Sequence, residues 1–146
     1  MKYSKVNQSD CDFFIMITNS NNFKIMNRHT HQLAYLVEGH SNTVLCCDYM
    51  HPFIATGGKD NIMKLWKIDE EKKKIALVAN YEGHSADILS ISFFKSKKII
   101  ATVSDDKTLK LWPFCEDSSQ VISIKSSLHT TSAHAKSVNT VRISPK

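Results

Sequence analysis

Two sets of four side chains each contain the His, the Asp and the hydroxyl that a hydrolase triad would need. They are His40, Thr56, Asp60 and Trp66 in the first set and His84, Thr102, Asp106 and Trp112 in the second. In both sets the Asp lies six residues before the Trp, and the Thr lies ten residues before it. A carboxylate that orients an imidazole, which in turn contacts a hydroxyl, is the arrangement of a hydrolase triad. The same groups can instead satisfy one another inside a buried hydrogen-bonded network.

Duplication of the set favours the structural interpretation, because an active site has no need to occur twice at a fixed period. The two histidines are 44 residues apart and the two tryptophans are 46 residues apart. Each stretch begins with Gly-His and continues through short apolar runs to a Lys-Leu-Trp sequence. A period of about 40–45 residues with this start and a Trp near its end is typical of WD repeats, which form the blades of a β-propeller. The resemblance to WD repeats implies that each set forms a structural tetrad, which ties the loop before the inner strand of each blade to its third strand.

Short apolar runs separated by turn residues predict an all-β chain, without a sustained helical period. We expect a segment of a WD-repeat β-propeller with two full four-stranded blades and partial blades at both ends. The strands predicted for the full blades are Val44–Met50, Phe53–Gly57, Ile62–Ile68 and Ile75–Asn80, then Ile88–Phe94, Ile99–Ser104, Thr108–Pro113 and an outer strand within Gln120–Lys125.

The predicted domains follow the repeat. They are a tail at 1–12, a partial degenerate blade at 13–39, WD repeats at 40–82 and 83–132, and the start of a further repeat at 133–146. In that last segment Ala133-His134 replaces Gly-His, and Val138–Ser144 is the expected inner strand. Because single repeats cannot bury their faces alone, we expect the chain to be part of a longer protein. Self-association into a closed ring is the alternative.

The N-terminal unit departs from the tetrad pattern. Met26 stands where Trp would be, Ser20 where Asp would be, and Met16 where Thr would be. We expect the degenerate blade to be held mainly by packing.

Two lysine clusters occupy loops that should emerge at the same end of neighbouring blades. They are Lys72, Lys73 and Lys74 before one outer strand, and Lys95, Lys97 and Lys98 after the next inner strand. Six lysines on one face could contact an RNA backbone or an acidic protein. Solvated loops without a ligand are the alternative.

Composition adds few constraints. The 146 residues have a net charge of +5, which permits nucleic-acid or acidic partners. No long apolar run predicts a signal peptide or membrane span, and we expect no membrane partner. The four cysteines lack metal-ligand spacing, and no cofactor or nucleotide fingerprint occurs. We therefore expect no enzyme activity, no cofactor, no metal and no small-molecule substrate.

Beyond the generic repeat, the order of details resembles one family. The segments that carry this resemblance are ITNSNNFKIMN, LVEGHSNTVLCCD, GGKDNIMKLW, YEGHSADILSISFFK, SDDKTLKLWPF and AHAKSVNTVRISP. Together they are similar to the transducin β-like protein 3 and U-three protein 13 family of WD-repeat proteins, from about Phe13 onward. That resemblance implies two tandem propellers and a C-terminal helical domain in the parent protein, with this chain in the second propeller.

The resemblance also implies a function. Members of that family act in the small-subunit processome of the nucleolus, where they support precursor-rRNA processing and small-subunit assembly. Expected partners are other WD-repeat processome proteins, including periodic tryptophan protein 2, with precursor rRNA or small nucleolar RNA in the same complex. The alternative is a WD-repeat adaptor elsewhere, such as a ubiquitin-ligase substrate receptor or a signalling scaffold.

Overall fold

The computed structural model describes residues 2–3, 13–116, 120–132 and 138–142, whose regular structure is almost entirely β-strand. The strands are β1 Lys2–Tyr3, β2 Phe13–Ile17, β3 Asn22–Asn27, β4 Leu33–Glu38, β5 Val44–Met50, β6 Phe53–Gly58, β7 Ile62–Asp69, β8 Lys74–Glu82, β9 Ile88–Phe94, β10 Ile99–Ser104, β11 Thr108–Pro113, β12 Ile122–Ile124 and β13 His129–Ser132. Within the described ranges one 3-10 turn occurs, Lys95–Lys97 between β9 and β10. In this part of the chain no helix is long and apolar enough to cross a membrane.

The strands form three sheets, which we call blades 1, 2 and 3 in chain order. Blade 1 has the order β1-β2-β3-β4, and blade 3 has the order β9-β10-β11-β13. Blade 2 consists of β5-β6-β7-β8 with β12 added beyond β8. All neighbouring strands are antiparallel except β12, which pairs parallel to β8.

Packing between the blades buries two apolar clusters. Blade 1 contributes Ile15, Phe23 and Ile25 to the first cluster, where the Phe23 ring meets Trp66 of blade 2 edge to face at 5.6 Å between centroids. The second cluster joins blades 2 and 3, and there Tyr81 and Trp112 make the same kind of contact at 5.6 Å. Because blade 2 is covered on both faces, its β6 strand is buried along its whole length. The blades therefore stabilise one another mainly through apolar burial.

Blades 1 and 2 share a detailed register on their outer strands. Met26 of β3 pairs with Leu33 and Ile25 pairs with Tyr35, so Ala34 is skipped at a bulge. In blade 2, Trp66 pairs with Leu77 and Leu65 pairs with Ala79, so Val78 is skipped at the same place. Residues 33–38 of β4 thus correspond one by one to residues 77–82 of β8.

The predicted outer strand of the second full blade was wrong. Within Gln120–Lys125, the residues Ile122–Ile124 form β12, but this strand pairs with β8 of the preceding blade. The outer strand of blade 3 is His129–Ser132, which pairs antiparallel to β11. The segment after β11 therefore crosses to blade 2, adds a strand there, and returns to complete blade 3.

The two ends of the chain also differ from expectation. Lys2–Tyr3, assigned to a tail, pair with β2 and give blade 1 a fourth, two-residue strand. At the other end, residues 138–142 form no strand. The Ser90 hydroxyl of β9 donates to the Val141 carbonyl at 3.5 Å, so this segment lies beside the inner strand of blade 3. The predicted Ala133-His134 start lies outside the described residues.

Candidate functional site

The first tetrad joins three elements of blade 2. His40 lies in the loop before β5, Thr56 lies on β6, Trp66 lies on β7, and Asp60 occupies the turn between β6 and β7. The imidazole contacts Asp60 Oδ2 through Nδ1 and Thr56 Oγ1 through Nε2, both at 2.7 Å. The indole N–H of Trp66 donates to Thr56 Oγ1 at 2.8 Å. The same Asp60 oxygen accepts the backbone N–H of Ser41 at 3.2 Å, which holds the loop against the turn.

The second tetrad repeats this geometry in blade 3. His84 contacts Asp106 Oδ2 and Thr102 Oγ1 at 2.7 Å each. The Trp112 indole donates to Thr102 Oγ1 at 2.8 Å. One addition distinguishes this copy, because the Thr108 hydroxyl donates to Asp106 Oδ1 at 2.6 Å.

The donors and acceptors available in the two tetrads determine the direction of their hydrogen bonds. An indole N–H can only donate, so the Thr oxygen accepts from Trp and its own O–H is available for the imidazole Nε2. Among the described contacts the buried Thr hydroxyl has no other acceptor, so its O–H donates to Nε2. Nε2 is then the unprotonated ring nitrogen, and Nδ1–H donates to the carboxylate. Each tetrad is therefore complete with a neutral histidine and an ionised aspartate.

The electrostatics agree with that assignment. Burial lowers the pKa of His84 more than the adjacent Asp106 raises it, so the imidazole stays neutral near pH 7. Burial alone would raise the pKa of Asp106, but hydrogen bonds from Thr108, His84 and the backbone lower it to about 2. The pKa of Asp60 is lowered in the same way, with burial opposing the hydrogen bond from His40.

The arrangement does not present a nucleophile. Thr56 and Thr102 are both 0% exposed, and both hydroxyls already have two partners. A hydrolase triad needs a hydroxyl that a substrate can reach. We infer that the tetrads hold loops and strands together, which is the role that their spacing predicts.

Blade 1 shows what replaces the tetrad. Met16 and Met26 take the Thr and Trp positions and are half-buried. Ser20, at the Asp position, contacts Thr18 Oγ1 and Asn22 Oδ1 at 3.0 Å each. Its carbonyl accepts the backbone N–H of Val44 at 2.9 Å, so the turn is tied to blade 2 instead of to a histidine.

The lysine clusters lie at one end of adjoining blades. Lys72 and Lys73 are in the β7–β8 turn, Lys74 begins β8, and Lys95, Lys97 and Lys98 lie between β9 and β10. All six are exposed. Asp48 near the end of β5 accepts the backbone N–H of Phe93 near the end of β9 at 2.8 Å, which holds these ends of the two blades together.

Acidic neighbours neutralise part of this charge. Lys72 lies 3.4 Å from Asp69 and Lys98 lies 2.7 Å from Glu116. The Lys97 ammonium sits 5.6 Å from the centroid of the Phe94 ring, an aromatic contact that the sequence analysis did not anticipate. The surface is therefore basic but mixed.

A cleft of about 760 Å³ opens along the inner strands, and sequence reasoning missed it. Its apolar floor includes Leu45 of β5 and Leu89 of β9, which occupy the same position in successive repeats. Polar residues of blade 1 and of segment 138–142 complete the lining, namely Thr18, Asn19, Asn139 and Thr140. The repeat of Val44-Leu45 as Ile88-Leu89 was the available signal.

Comparison with known proteins identifies a matching family and several similar proteins. The family described as WD domain, G-beta repeat (WD40) matches residues 31–67 and 75–113. U3 small nucleolar RNA-associated protein 13 of Saccharomyces cerevisiae is 34% identical over 119 residues, covering 75% of this chain and 15% of that protein. Nuclear distribution protein nudF of Aspergillus terreus is 28% identical over 130 residues, covering 73% and 27% respectively.

A solved structure supports the fold. One chain of the Chaetomium thermophilum polycomb repressive complex 2 matches with a TM-score of 0.80 at 22% identity, covering 94% of this chain and 31% of that chain. Together with the repeat matches, this confirms the predicted all-β propeller segment. The 34% identity with U3 small nucleolar RNA-associated protein 13 confirms the predicted resemblance to U-three protein 13. The chain spans 15% and 27% of the two curated relatives.

Proposed function

The chain belongs to the WD40-repeat family of protein-interaction scaffolds, and on this premise we propose that it acts in the small-subunit processome. In that role it supports precursor-rRNA processing and small-subunit assembly. It acts in the nucleus, within the nucleolus, and contacts other WD-repeat proteins there. The main support is the 34% identity over 119 residues with U3 small nucleolar RNA-associated protein 13. The covered segment is 15% of that protein, so the proposal concerns one part of a larger scaffold.

The basic end of blades 2 and 3 is the proposed contact for precursor rRNA or small nucleolar RNA. Lys73 and Lys97 are exposed between strands, and Lys74 is exposed at the start of β8. Neutralisation of phosphates by such lysines releases counterions, so binding through this surface weakens as salt is added. Asp69 and Glu116 limit the local charge, which suits a contact made within an assembled complex.

A scaffold role outside ribosome assembly is the second candidate. The match to nuclear distribution protein nudF extends over 130 residues at 28% identity. WD40 repeats support many kinds of adaptor, including ubiquitin-ligase substrate receptors and signalling scaffolds, because the fold fixes a platform and not a partner.

Affinity purification of the full-length protein, with mass spectrometry and sequencing of bound RNA, separates the two candidates. We expect recovery of other processome WD-repeat proteins together with precursor rRNA. Recovery of ligase or signalling partners without that RNA would overturn the processome proposal and leave the adaptor role.

A pair of charge-reversal variants tests the basic surface in the same experiment. Lys73→Glu/Lys74→Glu/Lys97→Glu alters that surface, whereas Lys59→Glu/Lys107→Glu alters exposed turns at the opposite end of the blades. We expect the first variant to keep its protein partners but to lose RNA, and the second to behave as the wild type. Equal RNA recovery from both variants would refute the RNA contact but not the processome role.

A further inference from the structure

One blade edge already binds an extended strand, and it does so within the chain. Ile122, Ser123 and Ile124 of β12 pair parallel to Ala79, Asn80 and Tyr81 of β8. The Ser123 hydroxyl donates to Glu82 Oε1 at 2.6 Å, and Ile124 packs against the cluster between blades 2 and 3. Ile122 is 38% exposed and Ile124 is half-buried, so the outer edge of this blade accepts an apolar residue, a hydroxyl and a second, more buried apolar residue in that order.

The outer strand of blade 1 has the same construction. The shared register aligns Tyr35, Leu36, Val37 and Glu38 with Ala79, Asn80, Tyr81 and Glu82. The bulge that precedes this stretch is at the same place in both strands. Glu38 is therefore positioned to accept a hydroxyl as Glu82 does, and Val37, like Tyr81, is buried.

The edge of β4 differs from that of β8 because no described strand covers it. β4 is the last strand of its sheet in the described part of the chain, and its Leu33 and Leu36 side chains are 52% and 50% exposed. An exposed edge presents backbone N–H and C=O groups that an added strand can pair with. Leu33 pairs with Met26, and Leu36 pairs with Lys24, so both leucines lie on one face of the β4 strand. Glu38 lies on the same face.

Blade 3 provides an internal contrast. Its outer strand β13 is His-Thr-Thr-Ser, all exposed, and it contains neither a large apolar residue nor a carboxylate. Ser132 pairs with Thr108 and so occupies the position that Glu82 holds opposite Ile62. An edge strand without these groups offers backbone hydrogen bonds but no specificity.

We propose that the outer edge of β4 binds an extended segment of a partner protein as a parallel fifth strand. The partner strand has apolar residues beside Tyr35 and Val37 and a threonine between them. Beside β8 the central residue is a serine next to Asn80, but beside β4 it lies next to Leu36. Threonine fits that position best, because its methyl group contacts Leu36 while its hydroxyl donates to Glu38. The inference adds a partner chemistry to the scaffold role and does not depend on ribosome assembly.

The test uses the purified chain and one synthetic probe. A fluorescein-labelled peptide copying residues 120–126 with the change Ser123→Thr is titrated with the chain, and fluorescence anisotropy reports binding. We expect saturable binding that is tighter than for the unmodified sequence. Methylation of alternate backbone nitrogens of the peptide should abolish binding, because it removes the donors of the strand ladder.

Two matched variants locate the binding edge. Leu36→Lys should weaken binding about tenfold, the effect of ~1.4 kcal/mol. Leu128→Lys changes a leucine that is 61% exposed in the connection before β13 and should leave binding unchanged. Absence of saturable binding would overturn the proposal, as would equal binding by Leu36→Lys, which would indicate exchange with β12 on β8. Neither result bears on the processome role, since the assay contains no RNA or other protein.

Discussion

Removal of a single hydroxyl from the second tetrad is the sharpest perturbation of the fold. Thr102→Val preserves the shape of a side chain that is 0% exposed and deletes its Oγ1. The change breaks the bonds to Trp112 Nε1 at 2.8 Å and His84 Nε2 at 2.7 Å. Each bond contributes about 1 kcal/mol net, and the two stranded buried groups add a desolvation penalty. We expect the free energy of unfolding to fall by about 3 kcal/mol.

A double-mutant cycle separates the hydrogen bond from packing. Trp112→Phe removes the indole N–H together with part of a fully buried ring, and we expect it to cost about 2–3 kcal/mol. In the double variant Thr102→Val/Trp112→Phe no indole N–H is left without a partner. The double variant should therefore be less destabilised than the sum of the single variants by about 1 kcal/mol.

The assay is urea unfolding followed by far-UV circular dichroism, with the denaturant slope checked for constancy. Thr131→Val, at an exposed position of β13, is the matched control and should change stability by less than about 0.5 kcal/mol. Additivity of the two buried changes within about 0.3–0.5 kcal/mol would refute the coupled tetrad. Blade 1 is consistent with coupling, because methionines replace both the Thr and the Trp there, at positions 16 and 26.

Acidification should destabilise the chain in two stages. Because the folded pKa of His84 is lowered, its stabilising contribution is present above about pH 6.5 and is lost as the pH falls below that value. Asp106, whose pKa is lowered to about 2, stabilises above about pH 4, and this contribution disappears between about pH 4 and pH 2. Comparing the urea midpoints of the wild type and Asp106→Asn at each pH isolates the second stage. Burial raises the pKa of Asp48, which therefore has the opposite effect on stability, but this effect is present in both chains and cancels in the comparison. Parallel pH profiles of the two chains would contradict the contribution of Asp106. Lys107→Asn should raise the free energy of unfolding by about 0.5–1 kcal/mol, because asparagine tolerates a positive φ better than lysine does. Lys107 has a φ of 70°, and an asparagine, Asn61, holds the equivalent position of blade 2 with a φ of 63°. An unchanged urea midpoint would argue against backbone strain at Lys107. Gly39→Ala should lower the free energy of unfolding by about 2 kcal/mol, and by more than Gly83→Ala does. A Cβ at Gly39 would lie 2.6 Å from Trp66 Cη2, whereas a Cβ at Gly83 would lie 3.1 Å from Trp112 Cη2. Equal thermal midpoints of the two variants would show that the Trp66 ring shifts freely.

Four strands that lie between clear turn residues were predictable from sequence. Val44–Met50, Ile88–Phe94, Ile99–Ser104 and Thr108–Pro113 have the predicted bounds. The spacing of His, Thr, Asp and Trp also identified the residues that lie in hydrogen-bond contact, because polar side chains that recur at the repeat period and become buried must find hydrogen-bond partners.

The outer strand of blade 3 was mispredicted because local apolar character outweighed repeat spacing. Ile122–Ile124 has a stronger preference for β-strand than His129–Ser132, and its composition does not indicate which blade it will join. The repeat contained a better signal, since β4 and β8 end at Glu38 and Glu82, directly before Gly-His. The same rule places the end of the next outer strand at Ser132, directly before Ala133-His134, as β13 has it.

The strand-binding edge of β4 depends on tertiary context that pattern alone does not provide. The alignment of LAYLVEGH with LVANYEGH is visible in the sequence. Its meaning depends on β12, whose parallel pairing with β8 shows which groups an added strand contacts.

Precursor-rRNA analysis in cells depleted of the full-length protein tests whether the protein acts in small-subunit assembly. We expect unprocessed precursor to accumulate and small-subunit rRNA to fall while the level of large-subunit rRNA is maintained. Complementation by the wild type should restore processing, and complementation by Thr102→Val should restore it poorly. Normal levels of precursor and small-subunit rRNA after complete depletion would contradict the processome role and leave a WD40 scaffold that acts elsewhere.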